Sequence, residues 1–213
     1  MGRRNGHKSL KRQGRRYGKI YVHPANHAGY YPGADGMSLK LVFDIDTGKL
    51  LGAQAIGKAG VDKRIDVLAV AIQAGMTVYD LEQMELCYAP QFGSAKDPVN
   101  MAGFVAAGLL RGDHPQTVWE SISDMPEKPL LLDVRMPLEY ATGHAPDAIN
   151  IPVDELRERL GELPKDRHIL AYCQVGQRGY IATRILMQKG FRVSNLSGGY
   201  KTYRLLCPNA VTL

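Results

Sequence analysis

The chain has 213 residues, 45% hydrophobic and 23% charged, a soluble globular composition with room for two small domains or one large one. No apolar run approaches the ~20 residues of a membrane helix, and the basic N-terminus has no apolar stretch behind it, so neither a membrane span nor a signal peptide is expected. The net charge of +6 is concentrated in residues 1–16, which carry seven Lys/Arg and no acid. The other 20 basic and 21 acidic side chains nearly balance. With no helix-turn-helix, zinc-finger or RNA-binding signature, this basic segment reads as a solvated terminus and no nucleic-acid partner is expected. Cys87, Cys173 and Cys207 are too few and too scattered for a disulfide framework or a zinc site, which points to a reducing cytoplasm and no metal.

Along residues 17–112, "LKLVFDI", "DTGK" and "LLGAQAI" read as strand, turn and returning strand. Ile65, Leu68, Ile72 and Met76 then recur at helical spacing, with Asp62 placed to cap the start. "TVYDLEQMEL" predicts a short helix entered through Thr77 or Asp80, and "DPVNMAGFVAAGLL" a third helix with Pro98 in its first turn. A hairpin followed by helices implies an α+β domain with an antiparallel sheet. "LLRGDHPQT" ends the last helix at Leu110 in a cluster of breakers, which marks 113–117 as a linker.

Residues 118–213 alternate more regularly. "PLLLDVR" and "HILAYC" are continuously apolar strands, "AINIP" a short one, and "RVSNLSGG" a strand and loop. "VDELRERLGEL", "RGYIATRILMQKG" and "YKTYRLL" are read as helices. Buried apolar strands between helices imply an α/β domain with a parallel sheet, whose sites lie beyond the carboxyl ends of its strands. Cys173 stands at such an end.

The thiolate is the reactive form of cysteine, and the loop Gln174, Val175, Gly176, Gln177, Arg178, Gly179 can favour it. Its amides can converge if the chain curls, with Gly176 and Gly179 supplying the torsions. The following helix directs its positive end at the same point, and Arg178 adds a charge that does not titrate. Asp133 and Arg135, ending the first strand on the same edge, are supporting residues: Asp133 fixes the loop by hydrogen bonding, and Arg135 is either a surface charge or a substrate contact. Cys207 is a distant thiol, and Cys87 reads as packing.

On "LLDVR", "EYATGHAPDAINIP", "AYCQVGQRGYIATRIL" and "LSGGY", residues 118–207 resemble the rhodanese family of sulfurtransferases. The resemblance implies that Cys173 carries a sulfane sulfur as a persulfide, taken from thiosulfate or a persulfide and passed to a low-molecular-weight thiol. Four residues separate Cys173 from Arg178. The cysteine phosphatases of the same architecture place one more there, to enclose a phosphate, so sulfur transfer is favoured over phosphate chemistry. Ala145 and Asp147 depart from the family pattern, which has a larger apolar residue and glycine at these positions; Asp tolerates unusual torsions.

"HAGYYPGA", "GAQAIGKAGVDKRIDVLAVAI" and "DLEQMELCYAPQFGSAKDPVNMAGFVA" resemble the dimerisation domain of the flavin-dependent pyridine nucleotide-disulfide reductases, in the coenzyme A disulfide reductase branch. That resemblance implies a homodimer formed through residues 17–112. It also implies that Tyr30 and Tyr88 face a partner's flavin-side cysteine, whereas the residues by themselves read as packing or interface contacts. "GAQAIGKAG" lacks the GxGxxG spacing, so the chain alone is expected to hold no cofactor. FAD and NAD(P)H would enter only with a flavoprotein partner or with further domains.

Overall fold

The computed structural model describes residues 10, 12 and 14–208, so most of the basic segment 1–16 lies outside the described residues. Arg15 and Arg16, at its end, pair with Asp44 and Asp46. The chain divides into two compact units, Met1–Arg111 and Gly112–Leu213.

The first unit is a three-stranded antiparallel sheet, β1 (Tyr17–Val22), β2 (Met37–Asp44) and β3 (Leu50–Gly57), in that order. β1 adds a strand to the expected hairpin, and its Ile20 and Val22 alternate inward with polar neighbours. α1 (Val61–Gln73), α2 (Val78–Gln83) and α3 (Pro98–Arg111) supply Leu68, Ala71, Leu81, Ala102 and Ala106 to a core shared with Leu39, Leu41 and Phe43 of β2. α2 starts as its sequence requires: the Thr77 hydroxyl accepts from the Asp80 amide, and the Asp80 carboxylate accepts from the Thr77 amide. α1 differs from expectation. Asp62 does not cap it; left-handed Gly60 is the N-cap, and Met76 lies beyond the helix end. The sealed ion pair Arg64–Asp97 joins α1 to the start of α3, and Arg64 also donates to the carbonyls of Asn26 and Gly60.

The second unit is a five-stranded parallel sheet in the order β4-β8-β7-β5-β6: β4 (Gln116–Thr117), β5 (Leu130–Asp133), β6 (Ile149–Asn150), β7 (Ile169–Tyr172) and β8 (Val193–Leu196). β4 takes the last two residues of the expected linker into the sheet, where they pair with Asn195 and Leu196. All four residues of β7 are buried, as befits a central strand covered on both faces. Ile169, Ala171 and Cys173 face one core with α5 (Gln177–Gln188). Leu170 and Tyr172 face the other, with Trp119 and α6 (Gly199–Leu206). A short α4 (Pro137–Ala141) follows β5.

The helix expected over "VDELRERLGEL" does not form. Its bonds run mostly three residues back, Glu155 to Pro152, Glu158 to Glu155 and Leu163 to Leu160, giving turns and a 3-10 segment at Leu160–Glu162. Leu156 and Leu163 still reach the core, so the apolar spacing reflects burial without an α-helix. Among the described residues, no helix is long and apolar enough to cross a membrane.

Candidate active site

β7 lies between β8 and β5, so the loops leaving all three strands meet at one edge of the sheet. The loop after β7 carries Cys173. The Gly176 amide donates to Cys173 Sγ at 3.2 Å, and Gly176 adopts φ 111°, a torsion that favours glycine. The loop after β8 supports this arrangement from the other side. The Tyr200 amide donates to Cys173 O at 2.8 Å and the Lys201 amide to Gln174 O at 3.0 Å. In planar trans peptides, C=O and N–H point oppositely, so the amides of Gln174 and Val175 are directed away from α6. Only glycine fits at 199. Its φ is +58°, and a Cβ there would stand 2.3 Å from Cys173 O.

Gly179 has a different reason from the one expected. It is helical, and a Cβ would stand 2.3 Å from Asn195 Oδ1, while Asn195 Nδ2 donates to Gly176 O at 3.0 Å. Glycine here is a matter of close approach.

The thiol is closed off: Cys173 has 0% exposure. The loop curls back on the thiol through the Gly176 amide, and Cys173 packs in the core with Ala171, Ala182 and Ile185. Val175 and Gln177 are exposed, whereas Gln174 and Arg178 are half-buried.

The charge of Arg178 is itself paired. Its Nη1 and Nη2 donate to Glu139 Oε2 and Oε1 at 2.6 and 2.7 Å. This pairing, ahead of the Met136 amide that Glu139 also accepts, holds the Glu139 carboxyl down at about 2. Arg178 is raised above its ordinary value chiefly by Glu139 and also by the nearby Cys173 sulfur. Glu139 had a readable signal: Pro137 at the first helical position followed by an acid at the third.

Arg135 is neither a surface charge nor open to a ligand, being 2% exposed. Burial works against its charge, and Asp133 outweighs burial through bonds of 2.6 and 3.0 Å. The guanidinium also donates to Gln174 Oε1 at 3.3 Å and to Gly143 O at 2.8 Å, and stacks 4.1 Å from the Tyr200 ring centroid. Asp133 therefore reaches the loop through Arg135. Asp147 takes the left-handed torsion that its place in the motif implies, φ 60°. Cys87 is exposed, contrary to its reading as packing, and Cys207 is intermediate.

Tyr30 and Tyr88 of the first unit are brought together, hydroxyl to hydroxyl at 2.7 Å, and both rings are exposed. The bond to Tyr88 raises Tyr30 above its ordinary value. The two loops carrying them are tied by the Ala28 amide, which donates to Gly93 O at 2.9 Å.

Residues 115–205 match the rhodanese-like domain, and residues 6–98 match the dimerisation domain of the pyridine nucleotide-disulphide oxidoreductases. The chain thus joins a reductase dimerisation domain to a rhodanese-like domain. It is 46% identical to reduced Bacillus anthracis CoADR-RHD, with a TM-score of 0.94, over 98% of this chain and 38% of that one. It is 37% identical to an NAD-dependent persulfide reductase from A. fulgidus, with a TM-score of 0.81, over 92% of this chain and 36% of that one. It is 44% identical over 93 residues to the coenzyme A disulfide reductase of Staphylococcus haemolyticus (strain JCSC1435), a stretch covering 44% of this chain and 21% of the relative. The chain therefore spans well under half the length of these relatives.

One of these relatives is NAD-dependent by name, and among the described residues the glycine-bearing loops lack the arrangement that cradles such a nucleotide. β3 lies in an antiparallel sheet, and the glycine-bearing loops of the parallel sheet, at Gly176–Gly179 and Gly198–Gly199, are packed around the thiol without GxGxxG spacing. No chemical step is derived through such a nucleotide.

Proposed function

We propose that Cys173 accepts a sulfane sulfur as a persulfide and hands it to a thiol, on a chain that dimerises through its first unit. The Cys173 thiolate attacks the outer sulfur of the donor, the donor's S–S bond breaks, and the leaving group departs with the electron pair. An acceptor thiolate then attacks the terminal sulfur and Cys173 leaves as thiolate. The observation that carries this reading is the loop backbone. One amide is already on Sγ, and the two preceding carbonyls are tied down on α6, which turns their amides away from it. Because the thiol is closed off, the reading requires the loop to open before a donor reaches Sγ.

Thiocyanate formation from thiosulfate and cyanide tests this directly. The wild-type chain is expected to be active and Cys173→Ser inactive; activity retained by the serine variant would refute the assignment. The exposed side chains Tyr30, Ile56 and Phe92 support burial of the first unit's surface in a homodimer, with sedimentation at the dimer mass as the check.

A second reading rests on the Tyr30–Tyr88 hydroxyl pair: the chain serves a flavin-dependent coenzyme A disulfide, persulfide or polysulfide reductase as its C-terminal part or partner module. Co-elution of the chain with a separate flavoprotein of this class supports it, and exclusive self-association argues against it.

A further inference from the structure

Both arginines around the thiol loop are matched by a carboxylate. Arg135 is sealed against Asp133 at 2.6 Å. Arg178 lies fork to fork on Glu139 at 2.6 and 2.7 Å, with the two side chains 31% and 34% exposed. Glu139 is itself fixed: the Met136 amide donates to its Oε2 at 3.1 Å, and Pro137 sets the turn. A donor approaching Cys173 therefore meets a neutral pair at Arg178. The side chains beside the pair in sequence, Met136 and Leu138, and Val175 in the loop, are exposed and apolar and add no compensating charge. The loop backbone and the N-terminal end of α5 still attract an anion, with about half a charge at the helix end. That suits one negative charge better than two.

We infer that Glu139 is a specificity-determining residue: by cancelling Arg178 it makes the loop select singly charged sulfur donors over the thiosulfate dianion. This rests on the sulfur-transfer reading above. The test compares kcat/KM for thiosulfate and for methanethiosulfonate, which carries one charge fewer. In each reaction the Cys173 thiolate takes the outer sulfur, and sulfite or methanesulfinate leaves with the bonding pair. In Glu139→Gln and Glu139→Met the thiosulfate-to-methanethiosulfonate ratio is expected to rise about tenfold, the scale for a unit charge removed within ~10 Å of a part-exposed site. Glu139→Asp keeps the charge and is expected to keep the wild-type ratio within about twofold. A ratio unmoved in both neutral variants, or equal losses on both donors, overturns the inference.

A second measurement needs no variant. The wild-type ratio is expected to stay within about twofold between ~0.05 and ~0.5 M salt, because a compensated pair leaves little to screen. A steep fall reveals an uncompensated cation and overturns the inference. Transfer from both donors with the wrong ratio defeats only the role of Glu139, whereas transfer from neither defeats sulfur transfer itself and this inference with it.

Discussion

Gly179→Ala offers a sharp test of how the loop is built. Alanine in a helix is ordinarily better than glycine by about 1 kcal/mol. Here the new Cβ would fall 2.3 Å from Asn195 Oδ1 and 3.4 Å from Tyr172 Cα. Asn195 has no cheap escape, being 5% exposed and bonded through Nδ2 to Gly176 O. An overpacking cost of about 3 kcal/mol, less the helix gain, leaves a net loss of about 2 kcal/mol. Asn195→Ala alone gives up the bond to Gly176 O and costs about 1 kcal/mol, since it also removes an Oδ1 that is buried without a partner. With the clash gone, the double variant recovers the helix gain and is expected within about 1 kcal/mol of wild type, a coupling of 2–3 kcal/mol. Urea unfolding followed by tryptophan fluorescence measures this in the second unit alone. Trp119 is the sole tryptophan, packs on Tyr172 and Tyr203, and donates to Gly199 O. A Gly179→Ala chain more stable than wild type, or additive costs in the cycle, refutes the packing account.

Three further outcomes are expected in the same assay. Glu139 titrates at about 2 in the folded chain against 4.5 ordinarily, so its stabilisation is complete above pH 4.5 and is lost as pH falls toward 2; Glu139→Gln should flatten the stability of the second unit across that window, and an unchanged acid slope contradicts the pairing. Arg135→Leu leaves the Asp133 carboxylate buried and unpaired and should cost about 3–5 kcal/mol, whereas a loss under 1 kcal/mol would show that the pair is dispensable. Asp147→Gly relieves a left-handed torsion at the expense of an exposed bridge to Lys128 and should raise stability by about 0.5 kcal/mol; a clear loss would mean that the bridge outweighs the torsion.

Features encoded locally were legible in the sequence. The Thr77–Asp80 box, Pro98 at a helix start, the β2–β3 hairpin and the strand–loop–helix around Cys173 each depend on residues within one or two turns. Features set by distant partners were not. Whether Arg178 is paired depends on Glu139, and whether Arg135 is buried depends on Tyr200, both remote in sequence. "LSGGY" was legible as a motif, yet its task, placing the Tyr200 amide on the carbonyl of Cys173, appears only once β8 lies beside β7. The spacing of Val153, Leu156, Leu160 and Leu163 misled because turns can deliver the same side chains to the core. Cys87 misled in the other direction: its apolar neighbours suggested packing, and the chain leaves it exposed.

Mass mapping after incubation with thiosulfate or polysulfide tests the central claim most directly. One added sulfur on the peptide containing Cys173, removable by a thiol and absent from Cys173→Ser, is the predicted result. Sulfur on Cys87 or Cys207 instead, or on no cysteine at all, would contradict it.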